Sequence, residues 1–457
     1  MRRLLLAALI ILATPGAALQ AMSPWRPDTP AEEVSEARLR ADVEALVAFG
    51  TRHTLSSQED PKRGIGASLH WGEAQFRAIS KDCGGCLTIA LPEAMVSGAR
   101  IPVATRLVNV VAIQKGSERP NEVVIVQGHI DSRVSGEMDA ASDAPGANDN
   151  ASGSALVIEA ARALSRSRYP TTVVYALLSG EEQGLHGGKL LADWAKAQGW
   201  TVKAVLNNDI VGGSKGSDGL VDNRNVRVFS EGPRADASVA TRAAARRFGG
   251  ENDSPSRNLS RFIAGMALKQ RGLAVRQVWR TDRMGRGGDH IPFLDAGLPA
   301  IRFSAAIEDY EHQHQDVRTE GGVKFGDTVD EMDFAYLAGV TRLNVATLDM
   351  LARAPMPPAV TAAAAVSTDT TLKWKHTVGA AAYRFYRRRT DAADWDRAFD
   401  GLMMLSGLAP RADEEFSRTF KGLRGDDWIF GVSAMAHDGS ESPISSAVPG
   451  GAFEPLP

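Results

Sequence analysis

The sequence predicts a mixed, mostly parallel β-sheet covered by helices, followed by an all-β sandwich. Over residues 122–353, short runs rich in β-branched residues alternate with longer helical patterns. Several of these runs are followed directly by polar residues, as at the carboxyl ends of parallel strands. The composition changes at residues 354–358 (APMPP), and short alternating segments follow. With 457 residues, the chain is long enough for two or three domains.

Residues 1–21 have the pattern of a signal peptide. Arg2 and Arg3 precede an apolar run at residues 4–13, and small residues follow. The apolar run is much shorter than the roughly 20 residues that span a bilayer, so a cleaved signal is favoured over a retained anchor. We therefore expect an exported protein, periplasmic or secreted, with no membrane span after signal removal.

The net charge and the cysteines indicate which partners and which cysteine chemistry to expect. The formal net charge of -3 gives no reason to expect nucleic acid as a partner. Cys83 and Cys86 are the only cysteines. In an exported chain, this pair is more typical of a local structural disulfide than of a thiol-redox motif.

Residues 22–353 are predicted as the first domain, with a helical lead-in at residues 22–105. Apolar positions at helical spacing predict a helix over residues 31–48, and a second helical pattern covers residues 66–80. A strand is predicted at residues 108–113. We interpret His53 as a structural residue, because no acidic partner follows it at motif spacing.

Three apolar runs of the first domain lead into polar residues. They are residues 123–126 before His129 and Asp131, residues 175–178 before Glu181 and Glu182, and residues 204–206 before Asp209. A helix begins near Asn150 or Ser152, after the first run. Three further strands and a closing helix are predicted at residues 226–229, 273–278, 299–303 and 334–351. The polar groups should meet in one crevice of the sheet.

After a linker at residues 354–358, residues 359–450 are predicted to form the sandwich. Alternating segments occur at residues 371–374, 383–387 and 428–434, with an Asp-Gly turn after them. This region resembles a fibronectin type III-like domain. Such a domain binds a surface or polymer, or packs on the first domain, and the sequence leaves both alternatives open.

The polar groups of the first domain match the ligand preferences of zinc. Zinc binds neutral imidazole and carboxylate groups, and a hydrolytic pair of ions needs a bridging ligand together with terminal ligands on each ion. The candidates at the expected crevice are His129, Asp149, Glu182 and Asp209.

A fifth ligand is expected in residues 309–316 (DYEHQHQD), which follow a predicted strand. The distance from Tyr310 and the Gln-His pairing favour His314. Spacing back from Asp316 would favour His312. We select His314 as the fifth ligand.

Five motifs, taken in order and spacing, resemble those of the exported bacterial aminopeptidases with two zinc ions, relatives of the glutamate carboxypeptidases and glutaminyl cyclases. The motifs are residues 128–132 (GHIDS), 145–153 (PGANDNASG), 180–185 (GEEQGL), 208–209 (ND) and 310–315 (YEHQHQ). The resemblance covers residues 106–350 and implies a zinc exopeptidase-like fold. The sequence departs from the family pattern at Asn148 and Asn150, where relatives often have a second aspartate.

The resemblance implies a role for each candidate residue. His129 and Asp209 bind one zinc, Glu182 and the late histidine bind the other, and Asp149 bridges them. Glu181 matches the general base, which takes a proton from the water between the ions and returns it to the leaving amine. Adjacent carboxylates at a strand end point in different directions, so Glu181 and Glu182 can divide these tasks.

Two further groups are expected near the metals. Asp131 is the natural partner that fixes the tautomer of His129. Asp289 and His290 resemble a family pair that lines the active site, although a structural role fits them equally well.

The leading hypothesis is an exported zinc aminopeptidase that acts on peptides with a free N-terminus. A carboxypeptidase would need basic groups for the terminal carboxylate, and Arg280, Arg283 and Arg286 are candidates, although solvated arginines are the favoured interpretation. A glutaminyl cyclase usually works with one zinc, so a complete ligand set for two ions argues against it. A non-enzymatic binding protein on the same fold would not be expected to retain Glu181 and five ligands.

Overall fold

The computed structural model describes residues 29–456 except 397–398, 400, 406–410 and 412. The predicted signal peptide, residues 1–21, lies outside the described residues. Among the helices of the described part of the chain, none combines the length and apolar character needed to cross a membrane.

The described residues form a helix-covered sheet and a smaller pair of sheets. The α-helices are α1 (Thr29–Glu32), α2 (Glu36–Val47), α3 (Ile65–Asp82), α4 (Ser152–Leu164), α5 (His186–Ala197), α6 (Val239–Phe248), α7 (Pro255–Gln270), α8 (Ile291–Asp295) and α9 (Phe334–Arg353). A π-helical turn occupies Ala147–Ala151 and a 3-10 turn occupies Val329–Glu331. The strands up to α9 are β1 (Thr88–Ala90), β2 (Glu93–Gly98), β3 (Ile101–Val108), β4 (Val110–Gln114), β5 (Arg119–His129), β6 (Thr171–Leu178), β7 (Thr201–Asn208), β8 (Asn225–Phe229), β9 (Ala274–Val278), β10 (Ala300–Ala305), β11 (Arg318–Glu320) and β12 (Val323–Phe325). The strands after α9 are β13 (Val360–Ala363), β14 (Thr370–Lys375), β15 (Ala382–Arg389), β16 (Gly401–Met404), β17 (Glu415–Phe420), β18 (Trp428–Met435) and β19 (Ser445–Ser446).

The central sheet has eight strands in the order β1-β4-β6-β5-β7-β10-β8-β9. Its middle strands β6, β5, β7 and β10 run parallel, whereas β4 and β8 pair antiparallel with their inner neighbours. Every residue of β6 is buried, as expected for a strand that is covered on both faces. The predicted mixed, mostly parallel sheet is confirmed.

Helices cover both faces of this sheet. On β5, Val124 and Val126 pack into the apolar core that contains α2, α4 and α9. The alternate residues Val123 and Ile125 pack into a second core with α5 and α8. This division follows from the two-residue period of a strand, which sends successive side chains to opposite faces.

The lead-in differs in part from the expected helices. The single helix predicted over residues 31–48 is interrupted, because the Ser35 hydroxyl accepts the Arg38 backbone N–H and starts α2 there. Helix α3 covers the second predicted helix, and Cys83 and Cys86 are joined by a disulfide. The β2–β3 hairpin and helices α6 and α7 were not recognised from the sequence.

The C-terminal region consists of two antiparallel sheets, β13-β14-β17 and β16-β15-β18-β19. Apolar side chains fill the space between them, including Trp374, Phe385 and Val432. The pattern agrees with the predicted all-β sandwich; its fibronectin type III identity stays a prediction.

The segment that connects the two regions is largely buried. Residues 354, 355, 357 and 358 are all buried. The carbonyl oxygen of Ala354 accepts hydrogen bonds from Lys203 (2.6 Å) and Arg119 (3.4 Å). Away from this segment, Asp253 of the first region forms a buried ion pair with Arg388 of β15 and lies 3.8 Å from Arg261. The sandwich is therefore held against the first region by buried charged groups.

Candidate metal centre

The carboxyl edge of the parallel strands collects the candidate ligands. His129 ends β5, Asp209 follows β7, and Glu182 lies four residues beyond the end of β6. Asp149 sits in the π-helical turn before α4. These positions place the four side chains at one end of the sheet, as expected for the crevice of an open α/β fold.

Asp149 lies between two histidines. Its Oδ1 is 3.2 Å from His129 Nε2, and its Oδ2 is 2.9 Å from His314 Nε2. Asp209 Oδ1 lies 3.8 Å from His129 Nε2, and Glu182 Oε1 lies 3.1 Å from His314 Nε2. The residues thus form two groups, one around each imidazole, and the two oxygens of Asp149 belong to different groups.

The donor set fits zinc. His129 Nε2 is buried and makes no hydrogen bond of good geometry with a described residue, although Asp149 Oδ1 lies 3.2 Å away and a buried polar atom of this kind normally has a partner. The atoms around it are carboxylate oxygens, and the ligand atoms of His129, Asp149 and Glu182 lie within 4.8 Å of one another. Neutral imidazole and carboxylate are the ligands of catalytic zinc sites, so these residues can hold the metal.

The electrostatics of the centre favour a bound cation. Burial favours the neutral imidazole of His314, but Glu182 and Asp149 outweigh it and raise its pKa to about 10. Burial also favours the neutral ring of His129, yet nearby carboxylates, Glu181 foremost, raise its pKa well above the ordinary value. The cluster of carboxylates thus stabilises positive charge at both imidazoles.

Glu181 lies beside the first group. Its ligand atom is within 4.8 Å of those of His129 and Asp209. Burial raises the pKa of Glu181 well above the usual range of a carboxyl group, and neighbouring Glu182 adds to the shift. A carboxyl group of raised pKa that faces the centre is suited to accepting and returning a proton.

Asp131 contacts His129 through its backbone. The His129 Nδ1 atom is 3.1 Å from the Asp131 carbonyl oxygen and 3.6 Å from the nearer carboxylate oxygen. The carboxylate instead accepts the backbone N–H groups of Glu181 (3.3 Å) and Glu182 (3.1 Å) and the Thr54 hydroxyl (3.2 Å). Asp131 therefore orients His129 mainly through the main chain, while its carboxylate shapes the Glu181–Glu182 turn.

The structure separates the two histidine candidates. His314 faces Asp149 and Glu182, whereas His312 Nδ1 contacts the Gly326 carbonyl oxygen at 2.8 Å. His312 Nε2 lies 3.5 Å from Glu331. Of the two, only His314 is placed where it could bind a metal with Asp149.

Asp289 and His290 support the surrounding loops. The Asp289 carboxylate accepts the Gly188 backbone N–H at 2.9 Å, and burial raises its pKa to about 7. His290 Nε2 contacts the Thr281 carbonyl oxygen at 2.6 Å, and burial lowers its pKa to about 4. Neither side chain is among the groups of potential metal ligands found in the described residues.

Two residues that position Asp149 were missed from the sequence. The Asp327 carboxylate accepts the backbone N–H groups of Asn148 (2.8 Å) and Asp149 (2.7 Å). The fully buried Arg52 donates to the carbonyl oxygens of Pro145 (2.6 Å) and Gly146 (2.9 Å), just before the turn. Neither residue lies in a motif, and no sequence signal marks them.

Two arginines beside the ligands were also missed. Arg133 Nε donates to Glu182 Oε2 at 2.9 Å, and its Nη2 lies 2.6 Å from His314 Nδ1. Arg302 Nη2 lies 2.8 Å from Asp209 Oδ2. Arg133 directly follows the first motif, which was the only available sequence signal for it.

The arginines considered for a carboxypeptidase have other contacts. Arg283 and Arg286 both pair with Glu308, at 2.7 Å and 3.0 Å. Arg280 contacts the sulfur of Met284 at 2.7 Å. One buried carboxylate, Glu308, is thus shared by two of these three arginines and by Arg227, so it offsets only one of their positive charges.

Comparisons with known proteins identify a family of zinc peptidases. The sequence model of peptidase family M28 matches residues 109–320. A probable zinc metalloprotease of Leptosphaeria maculans is 41% identical over 425 residues, covering 92% of this chain and 96% of the relative. A probable zinc metalloprotease of Pyricularia oryzae is 41% identical over 434 residues, covering 92% and 83%.

Solved structures show the same fold at low sequence identity. The Legionella pneumophila LapA aminopeptidase superposes with a TM-score of 0.53 and 16% identity over 76% of this chain and 80% of that chain. LapB of the same organism gives a TM-score of 0.52 and 18% identity, over 71% and 74%. From the family match and the 41% identical relatives, the chain belongs to peptidase family M28 and is a zinc metallopeptidase.

Proposed function

We propose that this chain is an exported aminopeptidase with two zinc ions, which removes N-terminal residues from peptides. The observation that carries the proposal is the position of Asp149, whose two oxygens face two different histidines at 3.2 Å and 2.9 Å. A carboxylate whose two oxygens face different candidate ligands is placed to bridge two metal ions.

In this proposal, His129 and Asp209 would hold one zinc, Glu182 and His314 the other, and Asp149 both. Bound zinc supplies Lewis acidity, which makes water more acidic and polarises a carbonyl group. Glu181 accepts the proton of the attacking water and then gives it to the leaving amine. Burial and neighbouring Glu182 raise the pKa of Glu181, which is the direction that favours the proton-carrying form needed in the second step.

Specificity for a free amino terminus is supported by the cleft beside Asp149. Its lining includes the acidic residues Asp309 and Glu331 together with Lys215. The acidic side chains there suit an ammonium group. A carboxypeptidase would need a cationic group for the terminal carboxylate instead. Lys215 is the lysine of this lining, where Asp309 and Glu331 outnumber it. Two of the candidate arginines, in the loop before α8, already contact Glu308.

The proposal is tested with Glu181→Gln. The variant should keep its zinc, measured by atomic absorption, and lose about 10²- to 10⁴-fold in kcat on aminoacyl-anilides, because general-base catalysis contributes that much. Glu118→Gln is the matched control, since Glu118 is exposed and lies at the opposite end of β5 from His129. N-acetylated anilides should not be cleaved.

Each alternative predicts a different result. A carboxypeptidase would cleave peptides with blocked amino termini, and a glutaminyl cyclase would bind one zinc and cyclise N-terminal glutamine. A wild-type protein that holds two zinc ions but hydrolyses no substrate with a free amino terminus would refute the aminopeptidase.

We also propose export through cleavage near residue 21, and a separate role for residues 359–450 in packing or surface binding. Mass spectrometry of the mature N-terminus after secretion from a host tests the first point. Retention of the uncleaved chain in the cytoplasm would refute it.

A further inference from the structure

The outer oxygen of Asp209 faces a fully buried arginine. Arg302 Nη2 lies 2.8 Å from Asp209 Oδ2, and the two side chains are 0% and 3% exposed. The other oxygen, Oδ1, faces His129 Nε2 at 3.8 Å. Asp209 thus presents one oxygen to the proposed metal position and the other to a guanidinium group.

The main chain fixes the position of Arg302. Strands β10 and β7 pair in parallel with Arg302 opposite Asn207, two residues before Asp209. Arg302 Nη1 donates to the Gly287 carbonyl oxygen. Gly288 passes so close that a Cβ there would lie 3.0 Å from Arg302 Nη1 and 3.1 Å from Asp209 Oδ2. The glycine therefore permits the close approach of this loop to the ion pair.

We propose that Arg302 is a positioning residue for zinc, which holds Asp209 by the outer oxygen so that Oδ1 alone binds the metal. The inference rests on the proposed function, because only there is Asp209 a ligand. Groups that hold ligands from behind orient them, and their loss typically weakens metal binding by about 10- to 100-fold.

Two effects of Arg302 oppose each other. Its positive charge disfavours a second cation nearby, whereas its contact with Asp209 orients the carboxylate before the metal binds. The orienting effect is the larger one here, because Asp209 is buried and no arginine or lysine of the described residues other than Arg302 lies within 4.0 Å of its carboxylate. Removing Arg302 should therefore weaken zinc binding rather than strengthen it.

The test compares zinc binding by the full mature protein and Arg302→Met in competition with a chromophoric chelator. We expect one of the two zinc ions to bind about 10- to 100-fold more weakly, with the other unchanged. Substituted Co²⁺ should show an altered visible spectrum for one ion. Arg302→Lys keeps the positive charge but not the guanidinium group that also donates to the Gly287 carbonyl oxygen, so its loss of zinc affinity should be intermediate.

Arg388→Met is the matched control. Arg388 is also a buried arginine paired with a buried aspartate, Asp253, but the pair joins the sandwich to the first region. Its loss should lower stability and leave both zinc affinities unchanged. Equal weakening of zinc binding in both methionine variants would overturn the proposal, as would unchanged or tighter binding in Arg302→Met.

If neither Arg302 variant folds, Arg302 is a structural residue and the proposal is wrong. Failure of the aminopeptidase proposal would show separately, in wild-type protein that binds zinc but hydrolyses no aminoacyl-anilide. The zinc measurements on Arg302 use no substrate, so the two failures are distinguishable.

Discussion

Replacing Asp327 by asparagine should disturb the centre without touching a ligand. Each oxygen of the Asp327 carboxylate accepts one backbone N–H, from Asn148 at 2.8 Å and from Asp149 at 2.7 Å. An asparagine amide has a single oxygen, so its NH₂ group would face one of these donors. One hydrogen bond to a charged group is lost and a buried N–H is left unpaired, at a cost of about 2–4 kcal/mol.

Urea unfolding of the zinc-loaded protein measures this cost. The turn that carries Asp149 should also shift, and kcat/KM should fall by roughly 100-fold, as small misplacements of catalytic groups can cause. Asp330→Asn is the control, because Asp330 is exposed and bonds Lys324 and Thr328 away from the ligands. A change below about 0.5 kcal/mol, the usual size for a surface substitution, together with unaltered kcat/KM would refute the positioning role of Asp327.

Three further predictions concern the metal, a buried lysine and the interface. Dialysis against a chelator should abolish hydrolysis, and added zinc should restore it; activity that survives complete zinc removal would contradict a metal centre. Burial lowers the pKa of Lys203 to about 7 from 10.5, so between these pH values the unfolded chain binds more protons than the folded chain. The free energy of unfolding should therefore increase by up to about 1.4 kcal/mol per pH unit as the pH rises. Urea unfolding at pH 7 and pH 9 should show this increase in the wild type and not in Lys203→Met. Asp253→Ala leaves Arg388 without its buried partner and should cost about 3–5 kcal/mol, with zinc content unchanged; a loss below 1 kcal/mol would contradict the ion pair's role.

The candidate ligands were accessible to sequence analysis because each has a local signal. His129 and Asp209 each come shortly after an apolar run, at the carboxyl end of the strand that the run forms. Asp327 has no such signal, since it lies 178 residues from Asp149 and meets it only in the folded chain. Arg302 is similar, because a lone arginine in a sequence most often indicates an exposed residue.

The fold also combines elements that have a local sequence signal with elements that depend on contacts between distant segments. Buried parallel strands such as β6 are recognisable as continuous apolar runs, whereas the antiparallel direction of β4 and β8 depends on how distant segments meet. Helix α6 was missed because none of its residues is buried, so no apolar stripe marks it. The break between α1 and α2 depends on one capping serine within a continuous helical pattern.

The buried connection after α9 has a thermodynamic consequence. Residues 354, 355, 357 and 358 are buried, and Arg388 of β15 pairs with the buried Asp253, so the two regions cannot separate without breaking buried contacts. A ligand that stabilises either region therefore adds its binding free energy to both. We expect a single calorimetric transition for the whole chain, and zinc should raise the temperature at which the tryptophans of the distant sandwich become exposed.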